Sequence, residues 1–85
     1  MGTAVGGVVC ELGPLQISAN VLNPGPVGTG WMDAEIRQAL TPRHPLGRLG
    51  EPSDIADVVA LLVFPAGRWI SGQFIQSDGG FSARF

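Results

Sequence analysis

The residues best suited to chemistry stand together: Pro24, Gly25, Pro26, Val27, Gly28, Thr29 and Gly30. Two prolines and three glycines in this space exclude both a helix interior and a central strand. They leave a shaped turn through which backbone can approach a ligand closely, with N–H groups on Val27, Gly28, Thr29 and Gly30. A short helix is predicted over 33–40, so these donors lie near the positive end of a helix dipole. The same residues also read as a glycine- and proline-rich connection with no ligand.

Other reactive side chains are few. His44, the only imidazole, lies in a stretch over 43–50 where structure breakers recur at nearly every second residue, and it is expected as a solvated loop residue. Cys10 is the single cysteine, which excludes a disulfide within the chain, and it reads as a small apolar residue on a packed face. Asp78 opens the glycine turn at 77–80 and is expected to cap it. There is no tyrosine and no lysine, so chemistry that needs a phenol, an ammonium or a Schiff-base amine has no agent in these 85 residues. No catalytic residue and no metal ligand set is assigned.

Composition narrows the classes. At 85 residues the chain is one domain at most, and a chain of this size buries only about 60–65% of its unfolded surface. The apolar fraction of 45% against 14% charged argues for a folded chain. Net charge is −2, and the arginines (Arg37, Arg43, Arg48, Arg68, Arg84) are scattered singly, leaving no basic footprint for nucleic acid. No apolar run reaches the length of a membrane span, and the start lacks the positive flank of a signal peptide. A soluble protein of a reducing, cytoplasmic compartment is expected.

Five elements must position the loop. Val5, Val8, Val9 and Leu12 have helical spacing over 3–12, weakened by Gly6 and Gly7 and ended by Gly13-Pro14. A strand is predicted over 17–22, with Asn20 hydrogen-bonded to a neighbouring segment. The 33–40 helix carries a stripe of Met32, Ile36, Ala39 and Leu40 and an i,i+4 pair, Asp33 with Arg37. The strongest helix follows Glu51-Pro52, with Ser53 as candidate cap. Ile55, Val58, Val59 and Leu62 form one face, widened by Ala56, Ala60 and Val63 until the helix reads as buried on two sides. A second strand is predicted over 73–76, and a tail over 81–85. Strands joined through helices in this way lie parallel with a right-handed crossover, the architecture of α/β proteins.

Three stretches then coincide: NPGPVGTGW at 23–31, PLGRLGEPSDIADVVALL at 45–62 and SGQFIQSDGGFS at 71–82. Together, over 11–81, they resemble the carboxy-terminal part of the short-chain dehydrogenase/reductase family, especially members similar to the 3-oxoacyl-[acyl-carrier-protein] reductases. The order and spacing of the three carry the resemblance more than any one of them. Residues 1–10, with Gly2, Gly6 and Gly7, depart from the family's alanine-rich helix as a divergent start.

The resemblance implies the C-terminal portion of a doubly wound Rossmann-type parallel sheet, incomplete as a domain, that binds NAD or NADP. It implies that Pro24 and Gly25 pack beside the nicotinamide, that Val27 offers backbone groups to the carboxamide, and that Thr29 hydrogen-bonds the carboxamide or pyrophosphate. Trp31 and Met32 fall in a substrate-covering segment over 31–45, with Trp31 and Phe81 suggesting a partly apolar wall for an alcohol or ketone. The 52–64 helix and the 73–77 strand fall on surfaces that build homo-oligomers. The family's glycine fingerprint is missing, since Gly28 and Gly30 are followed by Asp33 where the third glycine belongs. The family's Tyr-x-x-x-Lys pair is missing too, and by the resemblance would lie just before Met1. The expected function is thus a fragment of an NAD(P)-dependent oxidoreductase, not catalytic alone. A non-catalytic assembly module and an unstable truncated product stand as alternatives.

Overall fold

The computed structural model of the chain describes residues 2–83. The expected tail therefore ends, for description, at Ala83, and Arg84 and Phe85 lie outside the described residues. The elements are α1 (Gly2–Leu12), β1 (Val21–Asn23), α2 (Ala34–Leu40), α3 (Pro52–Val63) and β2 (Phe74–Gln76), with short 3-10 turns at Gly13–Leu15, Thr41–Arg43 and Pro65–Gly67.

The two strands form a parallel sheet in the register Val21↔Phe74, Leu22↔Ile75 and Asn23↔Gln76. The α/β architecture with a two-strand parallel sheet is as the sequence predicts, but both strands are shorter than expected. The reason lies at residues 17–20, which run beside 70–73 without a regular ladder. Asn20 takes the place of backbone there: its Nδ2 donates to Ile70 O at 3.2 Å and its Oδ1 accepts from Gln73 N at 3.0 Å. Gly72, at φ +78°, breaks the opposite strand, and Ala19 N turns to the Ser71 hydroxyl instead. The ladder proper starts where Val21 N donates to Gln73 O at 2.9 Å and ends where Ser77 N donates to Asn23 O at 2.9 Å.

Three expectations about the helices are corrected. Asp33 is not the ion-pair partner of Arg37; it is the cap of α2, its Oδ1 accepting from Ile36 N at 2.8 Å. Ser53 is not the cap of α3; Glu51 is, with Pro52 in the first turn and Glu51 N donating to Asp54 Oδ2 at 2.7 Å. Asp54 is also gripped by Arg48 through two hydrogen bonds of 2.7 and 2.9 Å. Finally, α3 is not buried on two sides. None of its residues is buried, and Val59, Leu61 and Val63 are exposed.

The shape explains that last point. The radius of gyration is 15.3 Å over an extent of 48 × 26 × 23 Å, whereas a compact chain of this length would have about 12 Å. The buried apolar residues among those described are Val5, Met32 and Leu49. An amphipathic helix can only be covered by what the rest of the chain supplies, and here that is little.

Candidate functional site

Both strands deliver their loops to the same side, beyond their carboxyl ends, which is where an open α/β sheet receives ligands. Asn23 organises the first loop. Its Nδ2 donates to Gln76 Oε1 at 2.9 Å across the sheet, and its Oδ1 accepts from Gly25 N at 3.2 Å, a turn closed by a side chain. Gly25 then has φ +64°, and a Cβ there would stand 2.8 Å from Asp78 Cβ. The Pro24-Gly25 turn therefore rests directly on the second loop, an approach open only to glycine.

Asp78 holds that second loop. Its carboxylate accepts from Ser82 Oγ at 2.7 Å, Gly80 N at 3.0 Å and Ser82 N at 3.2 Å. The Ser82 hydroxyl in particular pulls its pKa below the ordinary carboxylate value, against the opposing effect of burial. The expected turn-capping role is what the structure has.

The floor of the first loop is a parallel bridge between Val27 and Gly50, with Gly28 N donating to Gly50 O at 2.8 Å. One of the four donors expected on this loop is therefore spent on the fold. The amides of Val27, Thr29 and Gly30 enter no hydrogen bond among the described residues. The Thr29 Oγ1 is buried and likewise has no partner there. Thr29 O accepts from Met32 N at 3.1 Å, which turns the chain toward α2.

Pro24, Gly25, Val27 and Thr29 lie on one half-buried loop. Trp31 and Met32, adjacent in sequence, part company: Trp31 is 72% exposed and Met32 is buried at 8%. Phe81 lies against His44, ring centroids 4.9 Å apart, with the Arg43 guanidinium 4.7 Å from its ring centre.

His44 is a correction. Expected in solvent, it is 3% exposed. The turn at Thr41–Arg43 folds it back on α2, where Nδ1 lies 2.8 Å from Leu40 O. A carbonyl can only accept, so Nδ1 carries the proton, and Nε2 is left buried without a partner. The repeated breakers over 43–50 concealed this, because they mark turns without saying where turns point. Arg37 was missed in a similar way. Its guanidinium covers Gly28, as a Cβ on Gly28 would lie 2.8 Å from Nη1 and 3.1 Å from Nη2. The signal available was the preference of aspartate for the position before a helix, which takes Asp33 away from Arg37.

The arrangement offers unpartnered backbone amides and one buried hydroxyl on a single loop. Among the described residues no group of three or more His, Cys, Asp and Glu could hold a metal ion, and no helix is long and apolar enough to cross a membrane.

A sequence model of the family described as enoyl-(acyl carrier protein) reductase matches residues 5–82. An uncharacterized oxidoreductase, YjdA, of Bacillus subtilis (strain 168) is 49% identical over 71 residues, covering 84% of this chain and 28% of the relative. The crystal structure of 3-ketoacyl-(acyl-carrier-protein) reductase from Brucella melitensis complexed with NADH superposes with a TM-score of 0.82 at 31% identity, over 95% of this chain and 33% of that one. The angucycline C-6 ketoreductase LanV with bound NADP superposes with a TM-score of 0.83 at 34% identity, over 94% of this chain and 32% of the other. The chain thus spans about a third of the length of the relatives it matches.

Proposed function

The chain belongs to the short-chain dehydrogenase/reductase family, and on that footing we propose that it forms the nicotinamide side of an NAD(P)-dependent oxidoreductase acting on alcohol or keto groups. The observation that carries this reading is the buried, unpartnered hydroxyl of Thr29 on a loop beyond the ends of two parallel strands. A buried hydroxyl without a partner is unfavourable by roughly 1–3 kcal/mol, so its retention favours a ligand that pairs with it.

The residues present fit a carboxamide-bearing ring. Thr29 Oγ1 can donate to or accept from the carboxamide or a neighbouring phosphate, and Val27 offers a free amide to the carboxamide oxygen. Pro24 and Gly25 give the ring a surface with few protruding atoms, held in place by Asn23 and Asp78. When bound, the cofactor supplies the hydride. Trp31 and Met32 are assigned to the substrate side, Trp31 as the exposed face and Met32 as its buried support. With no tyrosine or lysine among its 85 residues, this chain positions the ring and does not deliver the proton to the substrate oxygen. It is not catalytic alone, and it works in the cytoplasm.

A second role is assembly. Val59, Leu61 and Val63 on α3, Phe64 just after it and Phe74 on β2 are exposed, which favours pairing with a further copy through the 52–64 and 73–77 segments. Light scattering that shows a strict monomer at high concentration would remove this reading.

The test of the cofactor reading is NADH titration followed by NMR chemical shifts, with Thr29→Val as control. Saturable shifts at 24–31, weakened about tenfold in Thr29→Val, are expected. No binding at millimolar NADH, or equal binding by the variant, would overturn it.

A further inference from the structure

We propose that Arg37 is an anion-binding residue of the 24–30 loop, admitted to it by the missing side chain of Gly28. A Cβ on Gly28 would stand 2.8 Å from Arg37 Nη1, 3.1 Å from Nη2 and 3.2 Å from Cζ. Both Nη atoms lie nearer that position than Cζ does, so the guanidinium turns its Nη end toward the glycine. The guanidinium carries five N–H donors.

No carboxylate in the described chain takes them. The ion pair among the described residues is Arg48–Asp54, and Asp33, one turn before Arg37, is the cap of α2. No hydrogen bond from the Arg37 side chain is present among the described residues, although the residue is half-buried. A permanent charge partly withdrawn from water with no counter-charge is unfavourable, and an arriving anion removes the penalty. The planar fork of a guanidinium matches two oxygens of one phosphate or carboxylate.

The neighbourhood supports the same ligand chemistry. Beside Gly28, the amides of Val27 and Thr29 are free and the Thr29 hydroxyl is buried without a partner. Polar groups awaiting a partner thus gather along one short stretch, and the guanidinium adds a full positive charge to it.

The inference rests on the nicotinamide reading above. The shared chemistry is a pair of anionic oxygens, supplied by a phosphate of the cofactor or by the carboxylate of a keto-acid substrate.

The variants are Arg37→Gln, which removes the charge, and Gly28→Ala, which keeps the charge but puts a methyl where the guanidinium lies. Gly28 does not have a positive φ, and the atoms in the way belong to the far end of a flexible side chain, so the second variant leaves the fold intact. The 85-residue chain is titrated by NMR with nicotinamide mononucleotide against nicotinamide riboside, with 4-oxopentanoate against pentan-2-one, and with inorganic pyrophosphate.

The wild type is expected to prefer the anionic member of at least one pair by about tenfold, with the preference lost in Arg37→Gln and reduced in Gly28→Ala. Preference within the first pair assigns the anion to the cofactor, and within the second to the substrate. Riboside binding with no anionic preference, or a preference that survives in Arg37→Gln, overturns the proposal and leaves the nicotinamide reading standing. Pyrophosphate binding that depends on Arg37, with the riboside never bound, keeps the anion site and overturns the nicotinamide reading. If no probe binds, both fall.

Discussion

The loops beyond the carboxyl ends of β1 and β2 are held by named polar contacts; the faces of α3 and the segment after it are apolar and mostly uncovered. On the loop side, Asn23 ties the two strand ends together, Asp78 collects three donors, and Gly28 is pinned to Gly50. On the helix side, Val63 is 74% exposed and Trp69 95% exposed. Hydrogen bonds between residues close in sequence or in adjacent strands can shape a loop without a large core. Burial of a helix face needs a second surface of matching area. The loop half of this chain is therefore specified from within, and the apolar half is left mostly uncovered by the rest of the described chain.

That contrast can be broken first in the apolar half. Gly67 is buried, and a Cβ there would meet the Leu61 carbonyl oxygen and stand 2.9 Å from Leu62 Cα. Both are backbone atoms that cannot swing aside. Gly67→Ala is expected to destabilise the chain by about 3 kcal/mol or more, read as a lowered urea midpoint. An unchanged midpoint would mean that the turn after α3 is not held in this form.

The loop half gives the next largest effect. Gly25→Ala combines a positive φ of +64° with a clash at 2.8 Å from Asp78 Cβ, and should lower stability by about 2 kcal/mol. Because the clash separates the two loops, chemical shifts should change at 23–30 and 77–82 and hardly at all in α3. Changes spread evenly over the chain would show that the two halves are not independent.

The smallest effect sharpens the comparison by pH. Asp54 has its pKa lowered to about 2, first by hydrogen bonds from Arg48 and then by the backbone N–H of Glu51. Asp78 is lowered too, chiefly by the Ser82 hydroxyl. A carboxyl group whose folded pKa lies below its unfolded value adds stability that is complete above the unfolded value and is lost as pH falls through the folded one. Stability should therefore be flat at neutral pH and fall between about pH 4 and pH 2, where these carboxylates take up protons. The Asp54→Asn variant should lose part of that slope while keeping its neutral-pH spectrum. Arg48 and Asp54 lie at the surface, so the change is small and weakened further by salt.

Much of the fold was legible before any coordinates. Proline and glycine at 24–30 announced a turn because each removes a backbone option outright, and the period of Ile55, Val58, Val59 and Leu62 announced α3. The parallel pairing followed from strands separated by helices. The ends of the strands were not legible. Whether residues 17–20 join a ladder depends on the side chain of Asn20 taking Gln73 N, and on Gly72 turning away 52 positions after it. The site was partly legible: the loop and its candidate residues were visible, while the cover over Gly28 and the burial of His44 were not.

What the sequence by itself determined is local: where backbone can turn, where it can donate, and which faces are apolar, because these follow from the chemistry of each residue and its near neighbours. What only the tertiary structure decided is the choice among possible partners. Asp33 could pair with Arg37 or cap α2, and His44 could face water or Leu40 O. Each group has more hydrogen-bonding options than neighbours, and distance in space, which sequence does not contain, selects among them.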